Sequence, residues 1–365
     1  MVKRVKVFGT ALDATDFPLN IQTKLAYLTR LSQNLIKEPN FLDPYDGFLQ
    51  YSRVLSDEKY TKMGKFPIDS WLTPKPNIED FPLINQLMFQ KVTNDGTIKE
   101  YSNKLANYVK SQILPDIPLM IAPDHSLSGG VLRALSKEYG AVNILVVAFD
   151  SHFDGIPASL SIKISEFLQE HEEDGKELIP KLMPAVVDSL NINDTYTCAS
   201  YLYYLLQEKI ILPENLIIFG CQDYPDEKFR LIEDQRAKEF VDFFNSLENQ
   251  GVKFIPKMED SQMIDELKSA LEKISTPYIY ISFDVDIGSL KDVIAARFRN
   301  AIGIDRSTIL SAAKLIKNYM ASRKCDLIGL DVMEVEIHLL GREFPKSGRK
   351  DLTVEIVDEF LNFFI

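Results

Sequence analysis

Asp150, His152 and Asp154 stand two residues apart in Asp150-Ser151-His152-Phe153-Asp154, directly after the apolar run Ile144-Leu145-Val146-Val147-Ala148-Phe149. Alternate side chains of an extended chain point to one side, so these three groups converge. Two carboxylates and an imidazole are costly to bury together unless a cation lies between them. Taken alone, the segment also reads as a solvated acidic turn.

Three more places in the chain narrow that choice. His125 stands in Asp124-His125-Ser126, after the apolar run Ile117-Pro118-Leu119-Met120-Ile121-Ala122. Asp284-Val285-Asp286 repeats the alternating geometry after Tyr278-Ile279-Tyr280-Ile281-Ser282-Phe283, and Glu334-Val335-Glu336 follows a strand expected to end at Asp331. The chain has 4 histidines, and two of them fall in these places. His171, in an acidic run, and His338 read as structural or solvated. Carboxylates with imidazole and no thiolate suit a hard-to-borderline cation such as Mn²⁺ rather than a structural zinc. His125, Asp150, His152, Asp154, Asp284 and Asp286 make six ligands, more than one metal takes while also holding water. Two metals sharing Asp150 and Asp284 would use them all, and cations about 3.5–4 Å apart can lower the pKa of a shared water.

The elements that must position these groups follow from the same runs. Val5-Lys6-Val7-Phe8-Gly9 leads towards a helix near Ile21 to Leu35, and the Asp124-His125 turn leads into a helix through Gly130 to Glu138. Leu216-Ile217-Ile218-Phe219-Gly220 and Asp326-Leu327-Ile328-Gly329-Leu330 complete a series of short buried strands alternating with helix-period segments. This pattern predicts an α/β fold, a three-layer α-β-α arrangement with a mostly parallel central sheet. In such sheets ligands bind outside the carboxyl ends of the strands, where the polar residues cluster. We read residues 1–365 as one domain, with an insertion or lid at about 37–95, rich in Pro, Asp, Tyr and Phe. The charged stretch from Glu166 to Lys181 reads as a surface excursion.

Composition sets the class. Hydrophobic residues make up 45% of the 365, which fits a soluble globular protein with a large core. A formal charge of −12 (41 basic, 53 acidic residues) argues against nucleic acid or an anionic membrane as partner. It is compatible with a cationic small substrate. Cys198, Cys221 and Cys325 are too few and too scattered for a disulfide framework or a zinc ribbon. No apolar run reaches the roughly 20 residues of a membrane span, and the N-terminus lacks a signal-type apolar region. A cytoplasmic enzyme is the expectation. No P-loop, dinucleotide-binding glycine fingerprint or serine elbow is found.

Taken in order, Ala122-Pro123-Asp124-His125-Ser126, Asp150-Ser151-His152-Phe153-Asp154 and Ser282-Phe283-Asp284-Val285-Asp286 resemble three motifs of the ureohydrolase superfamily of arginases, agmatinases and formimidoylglutamases. Those motifs are Gly-Gly-Asp-His-Ser, Asp-Ala-His-x-Asp and Ser-Phe-Asp-x-Asp. Asp331-Val332-Met333-Glu334-Val335-Glu336 resembles the family's Asp-x-x-Glu-Val-Asn segment. The resemblance covers roughly residues 115–365 and the first hundred only loosely. It implies an arginase-like fold with two Mn²⁺ per chain. One would be held by His125, Asp150, Asp154 and Asp284, the other by Asp150, His152, Asp284 and Asp286. It also implies hydrolysis of a C–N bond in a linear guanidino or formimino compound by a metal-bridging hydroxide. Glu334 would then bind the cationic group, Asp154 would carry the proton to the leaving amine, and the chain would form a homo-oligomer, a trimer or hexamer.

Three departures from the family pattern bear on substrate. Ala122-Pro123 replaces the glycines before His125, and Ile287-Gly288-Ser289-Leu290 replaces the Asp-Pro after the third motif. The family's His-Gly segment finds only a loose match in Tyr196-Thr197-Cys198-Ala199-Ser200, which sets Cys198 at the position of a proton-shuttle histidine. A thiol with an ordinary pKa near 8.5 could relay a proton or shape the pocket. The alternative is a half-buried cysteine at a helix start. This change puts arginine and agmatine in question as substrates. Asp223, in Gly220-Cys221-Gln222-Asp223, is a further substrate-binding candidate, and Arg297 either reaches a substrate carboxylate or is solvated. Two other readings remain: a metal-dependent amide deacetylase of related fold, and a binding homologue without catalysis.

Overall fold

The computed structural model describes residues 3–36, 42–171, 193–298, 303–346 and 348–365. The Lys181 end of the expected surface excursion lies outside them, as do Arg299 and Asn300.

Eight strands form one sheet: β1 Val5–Thr10, β2 Thr61–Phe66, β3 Ile117–Ile121, β4 Ile144–Phe149, β5 Leu216–Phe219, β6 Lys253–Ile255, β7 Tyr278–Asp284 and β8 Asp326–Met333. Their order across the sheet is β2-β1-β3-β8-β7-β4-β5-β6, and every pairing is parallel. A short antiparallel pair, Glu343–Phe344 with Arg349–Lys350, lies outside this sheet.

Both faces of the sheet are covered, which is why β4 is apolar at all six positions and fully buried. Ile144, Val146 and Ala148 join one core. The alternate residues Leu145, Val147 and Phe149 join the other, as the two-residue period of a strand requires. Helices Thr97–Tyr108, Ser128–Tyr139 and Gln235–Gln250 supply the first core; Asp260–Lys273, Arg306–Arg323 and Thr353–Leu361 supply the second. The three layers are those expected from the sequence. Among the described residues no helix is long and apolar enough to cross a membrane.

Two strands of the main sheet escape the sequence pattern. Residues Thr61–Phe66, within the stretch read as an insertion or lid, form β2 and extend the sheet beyond β1. They are mostly exposed or half-buried and include Gly64 and two lysines, as suits an edge strand. β6 has three residues, too few to show a period. The strand expected to end at Asp331 continues to Met333.

The order of the strands makes the site. β3 and β4 are consecutive in sequence but are separated in the sheet by β8 and β7. Four neighbouring strand ends, β3-β8-β7-β4, therefore bring together segments drawn from residues 122 to 336. Phe149 pairs with Phe283 across β4 and β7, so Asp150, just past β4, and Asp284, the last residue of β7, lie side by side.

Candidate metal centre

His125 opens a short turn of helix after β3, where Asp124 caps it by accepting from the Ser126 N–H at 2.9 Å. Its Nδ1 faces three carboxylate oxygens: Asp150 Oδ2 at 3.2 Å, Asp154 Oδ2 at 2.9 Å and Asp284 Oδ2 at 3.1 Å. The other ring nitrogen, Nε2, is 2.7 Å from Ser282 Oγ and 3.1 Å from the Tyr201 hydroxyl. Ser282 donates in turn to Asp331 Oδ1 at 2.6 Å, across a registered pair of β7 and β8, and the Tyr280 hydroxyl donates to Asp331 Oδ2. This chain of bonds fixes the imidazole plane so that Nδ1 is presented to the acids.

A second group adjoins the first. His152 Nδ1 lies 2.8 Å from Asp286 Oδ2 and 3.8 Å from Asp150 Oδ1. Donor atoms of Asp150, His152 and Asp286 all lie within 4.8 Å of one another, as do those of His125, Asp150, Asp154 and Asp284. Asp150 is common to both groups. Asp284, expected to be shared as well, falls only in the first, and its Oδ1 accepts from the Asp286 N–H at 2.8 Å. Backbone amides orient the remaining acids: Asp150 Oδ1 accepts from His152 N at 2.6 Å and Asp286 Oδ1 from Ser151 N at 3.2 Å.

The donor set fits cations. His125 Nδ1, Asp150 Oδ2, His152 Nε2 and Asp286 Oδ2 are buried and make no hydrogen bond, which is costly unless something else satisfies them. No Lys or Arg pairs with the four aspartates among the described residues. Burial, then the charge of Asp154, pushes the Asp150 carboxyl well above the usual carboxylate range, and burial with Asp286 and Asp150 does the same to Asp284. Burial opposes charge on His125, but Tyr201 and the three carboxylates outweigh it and hold the ring's pKa well above normal. His152 is raised against burial by Asp286 and Asp150. These directions favour protons on Asp150, Asp284, His125 and His152, and cations can replace them.

Two residues of the site have backbones in the left-handed region, Asp154 at φ 54 and Glu334 at φ 58. Such conformations cost about 1–3 kcal/mol for a side-chain-bearing residue and persist only where surrounding bonds enforce them. Asp154 O accepts from Leu202 N at 3.0 Å, and Glu334 O accepts from Arg297 N at 2.9 Å. Close packing helps: a Cβ on Gly220, itself at φ 108, would come 2.9 Å from the Asp150 carbonyl oxygen.

Glu334 follows β8 directly, as expected, but its surroundings differ from the expectation. Its Oε1 accepts from the His125 N–H at 2.9 Å, and its Oε2 stands 3.9 Å from Arg297 Nε. Arg297 is neither solvated nor open to a substrate carboxylate. It is buried, with Nη1 donating to Pro123 O at 2.8 Å and Nη2 paired with Asp13 Oδ1 at 2.6 Å. Asp13 Oδ2 is 3.0 Å from Lys24 Nζ, and Lys24 also donates to Thr73 O. None of Asp13, Lys24 or their link to residue 297 is visible in the sequence, because no spacing or period relates them.

Cys198 joins Asp124 and Glu334 in a third group of donor atoms within 4.8 Å. Its loop is fixed by Tyr196, whose hydroxyl donates to Ser126 O at 2.6 Å, and by Ile156 N donating to Ala199 O at 3.1 Å. Burial, then Asp124, Glu334 and Asp154, pushes the thiol pKa well up against the pull of Arg297. Such surroundings oppose a thiolate at Cys198. Asp223 also takes a different place from that expected of a substrate-binding residue. Its Oδ2 accepts from Phe153 N at 3.0 Å and its Oδ1 from the Cys221 thiol at 2.8 Å, so it braces the 150–154 loop. His171 and His338 lie outside the cluster; His171 Nδ1 is 2.9 Å from Phe167 O and His338 Nε2 is 3.4 Å from Pro74 O.

Comparison with known proteins agrees with this geometry. The Arginase family profile matches residues 46–341. An arginase of Staphylococcus aureus (strain COL) is 22% identical over 239 residues, 65% of this chain and 67% of that protein. The fold is similar to that of proclavaminate amidino hydrolase from Streptomyces clavuligerus, with a TM-score of 0.55, 15% identity and coverage of 99% and 91% of the two chains. It is also similar to arginase from Bacillus caldovelox, with a TM-score of 0.53, 16% identity and 98% of each chain covered. With its His/Asp cluster compatible with a metal site, the chain belongs to the Arginase family of the ureohydrolase superfamily, hydrolases that act on C–N bonds.

Proposed function

We propose that this protein is a dinuclear manganese hydrolase of a C–N bond at a nitrogen-bearing sp² carbon, with linear guanidino and formimino compounds as the first candidates. The observation that carries this reading is the convergence of three aspartate oxygens on His125 Nδ1 within 3.2 Å, with Asp150 shared by a second His/Asp group. In this reading His125, Asp150, Asp154 and Asp284 hold one ion, and Asp150, His152 and Asp286 hold the other, with Asp284 beside it. Bound there, the pair supplies Lewis acidity and a nucleophilic water at neutral pH.

The chain's own residues position and move protons. Hydrolysis adds the water oxygen to the carbon, breaks the C–N bond and releases an amine that must gain a proton. Asp154 is our candidate carrier, because its carboxylate lies 2.9 Å from His125 Nδ1 and its side chain is 11% exposed, against 0–1% for Asp150, Asp284 and Asp286. Glu334 orients the nitrogen end of the substrate. Cys198, a thiol beside Glu334, shapes the pocket; we assign it no role as nucleophile or proton relay. Asp223 is a positioning residue for the 150–154 loop. On the family resemblance we further propose a cytoplasmic homo-oligomer, a trimer or hexamer, which sedimentation would refute by finding a monomer.

The test is a panel of guanidino, formimino and amide compounds with manganese-loaded protein, measuring urea, ammonia, formamide and carboxylate release. Absence of bound metal after loading, or turnover with none of them, would defeat the proposal. A second reading, hydrolysis of an uncharged amide, is favoured by one observation: an internal guanidinium already faces Glu334. A carboxylate product from an amide, with no turnover of amidines, would select it.

A further inference from the structure

We infer that Arg297 is a specificity-determining residue: its buried guanidinium neutralises Glu334 from within the protein, so that the group docking there is an uncharged amide or ureido group rather than a guanidinium or amidinium cation. This rests on the reading of the site as a C–N hydrolase and selects, of the two substrate readings given above, the uncharged amide over the guanidino and formimino compounds.

Charge is the chief factor, since each carboxylate oxygen can accept a second hydrogen bond. A carboxylate recognises a guanidinium by offering both oxygens to two parallel N–H groups. Here Glu334 Oε1 is engaged by the His125 amide, and Oε2 looks towards Arg297 Nε. The Arg297 side chain is only 3% exposed and that of Glu334 4%, so little water screens them. A second cation at Oε2 would meet the first at close range in a poorly screened pocket. An uncharged amide or urea NH₂ meets no such repulsion and can still donate to Oε2, a buried oxygen without a hydrogen bond.

Arg297 is not free to leave. Asp13 holds Nη2, the Pro123 carbonyl holds Nη1, and Lys24 balances Asp13 behind it. Its guanidinium also lies 5.7 Å from the Phe298 ring centroid. Lys24, Asp13, Arg297 and Glu334 thus alternate in sign, with Glu336 a further acid acting on Lys24 and Arg297. Burial, opposed by Arg297, pushes the Glu334 carboxyl well above the usual carboxylate range, which weakens its hold on a cation still further. The remaining acid beside Cys198, Asp124, commits Oδ1 to the Ser126 amide, and burial biases it towards its neutral form.

Urea and guanidinium provide the probes, since they are planar, nearly equal in size and different by one charge. Isotope-labelled at carbon, each can be titrated at matched ionic strength into the manganese-loaded full chain, with relaxation by the bound ion as readout and metal content measured first. Urea is expected to bind the natural protein more tightly than guanidinium. Arg297→Gln is expected to shift the ratio of the two dissociation constants by about tenfold or more towards guanidinium, and Arg297→Lys to keep the natural order. Tighter binding of guanidinium by the natural protein, or an unchanged ratio in a folded Arg297→Gln, overturns the inference. So does relaxation of neither probe. If Arg297→Gln does not fold, the natural protein and Arg297→Lys decide alone. A chain that holds no manganese defeats the underlying reading, whereas a metal-loaded chain that prefers guanidinium defeats only this one.

Discussion

Two buried acidic groups lie next to each other in this protein, and they solve the same electrostatic problem in opposite ways. Around His125 and His152, four aspartates converge with no Lys or Arg ion pair among the described residues. Around Glu334, the carboxylates are interleaved with Lys24 and Arg297. A buried anion must be paired, protonated or bound to a cation. The first group therefore depends on ions or protons from outside, while the second holds two cations of the chain's own, and burial still raises the Glu334 and Asp124 carboxyls above the usual range. Acidity alone does not mark a cation site; the decisive feature is whether the fold has already supplied the counter-charge.

The largest expected effect breaks the first half of that contrast. Asp150→Ala or Asp284→Ala should abolish manganese binding and turnover, beyond the roughly 10–100-fold loss typical of residues that only orient a ligand. Elemental analysis of the purified variants reads this directly, and near-stoichiometric metal in either would dissolve the distinction. The second half is tested at Asp13. Its replacement by Ala strands Lys24 and Arg297 in the interior and should cost about 3–5 kcal/mol in urea unfolding, whereas a loss below about 1 kcal/mol would mean the balance is not needed.

Smaller effects sharpen the picture. Ser282→Ala removes the group linking His125 to Asp331 and should weaken manganese affinity by about 10–100-fold while leaving the fold intact; competition with a metal indicator measures it. The response to pH has a defined sign. Asp150 and Asp284 have folded-state pKa values raised above 3.8, and His125 and His152 above 6.5. Raised values stabilise the fold below the unfolded-state pKa, and that stability is lost as pH rises through the folded-state values. Chelator-treated protein should therefore lose stability upward from those values, while metal binding, which requires the deprotonated ligands, strengthens. The gap in Tm between loaded and chelated protein should widen as pH rises past the ordinary imidazole range. A constant gap would remove the link. The smallest effect belongs to Cys198→Ala, expected to change kcat by no more than a few-fold; a loss of about a hundredfold or more would give the thiol a role in proton transfer.

The legibility of the chain divides along similar lines. β4 and β7 announce themselves because strands buried on both faces are continuously apolar, and the ligand motifs announce themselves because a strand end repeats its side chains every two residues. β2 is missed because an exposed edge strand needs no apolar pattern, and β6 because three residues have no period. Tyr201 and Asp331 reach His125 only through the packing of a helix and the register of two strands. Asp223 carries the same carboxylate that a substrate site would use, and only its partners, Phe153 N and the Cys221 thiol, reveal a bracing role.

By itself the sequence determined the α/β class, the parallel sheet and the six ligand candidates, because local periodicity and spacing encode burial and direction. The tertiary structure alone decided which charges meet. Asp13, Lys24 and Arg297 are brought beside Glu334 by strands and loops distant in the chain, and burial then makes their mutual attraction strong enough to matter. That encounter decides what Glu334 can bind, and no linear pattern records it.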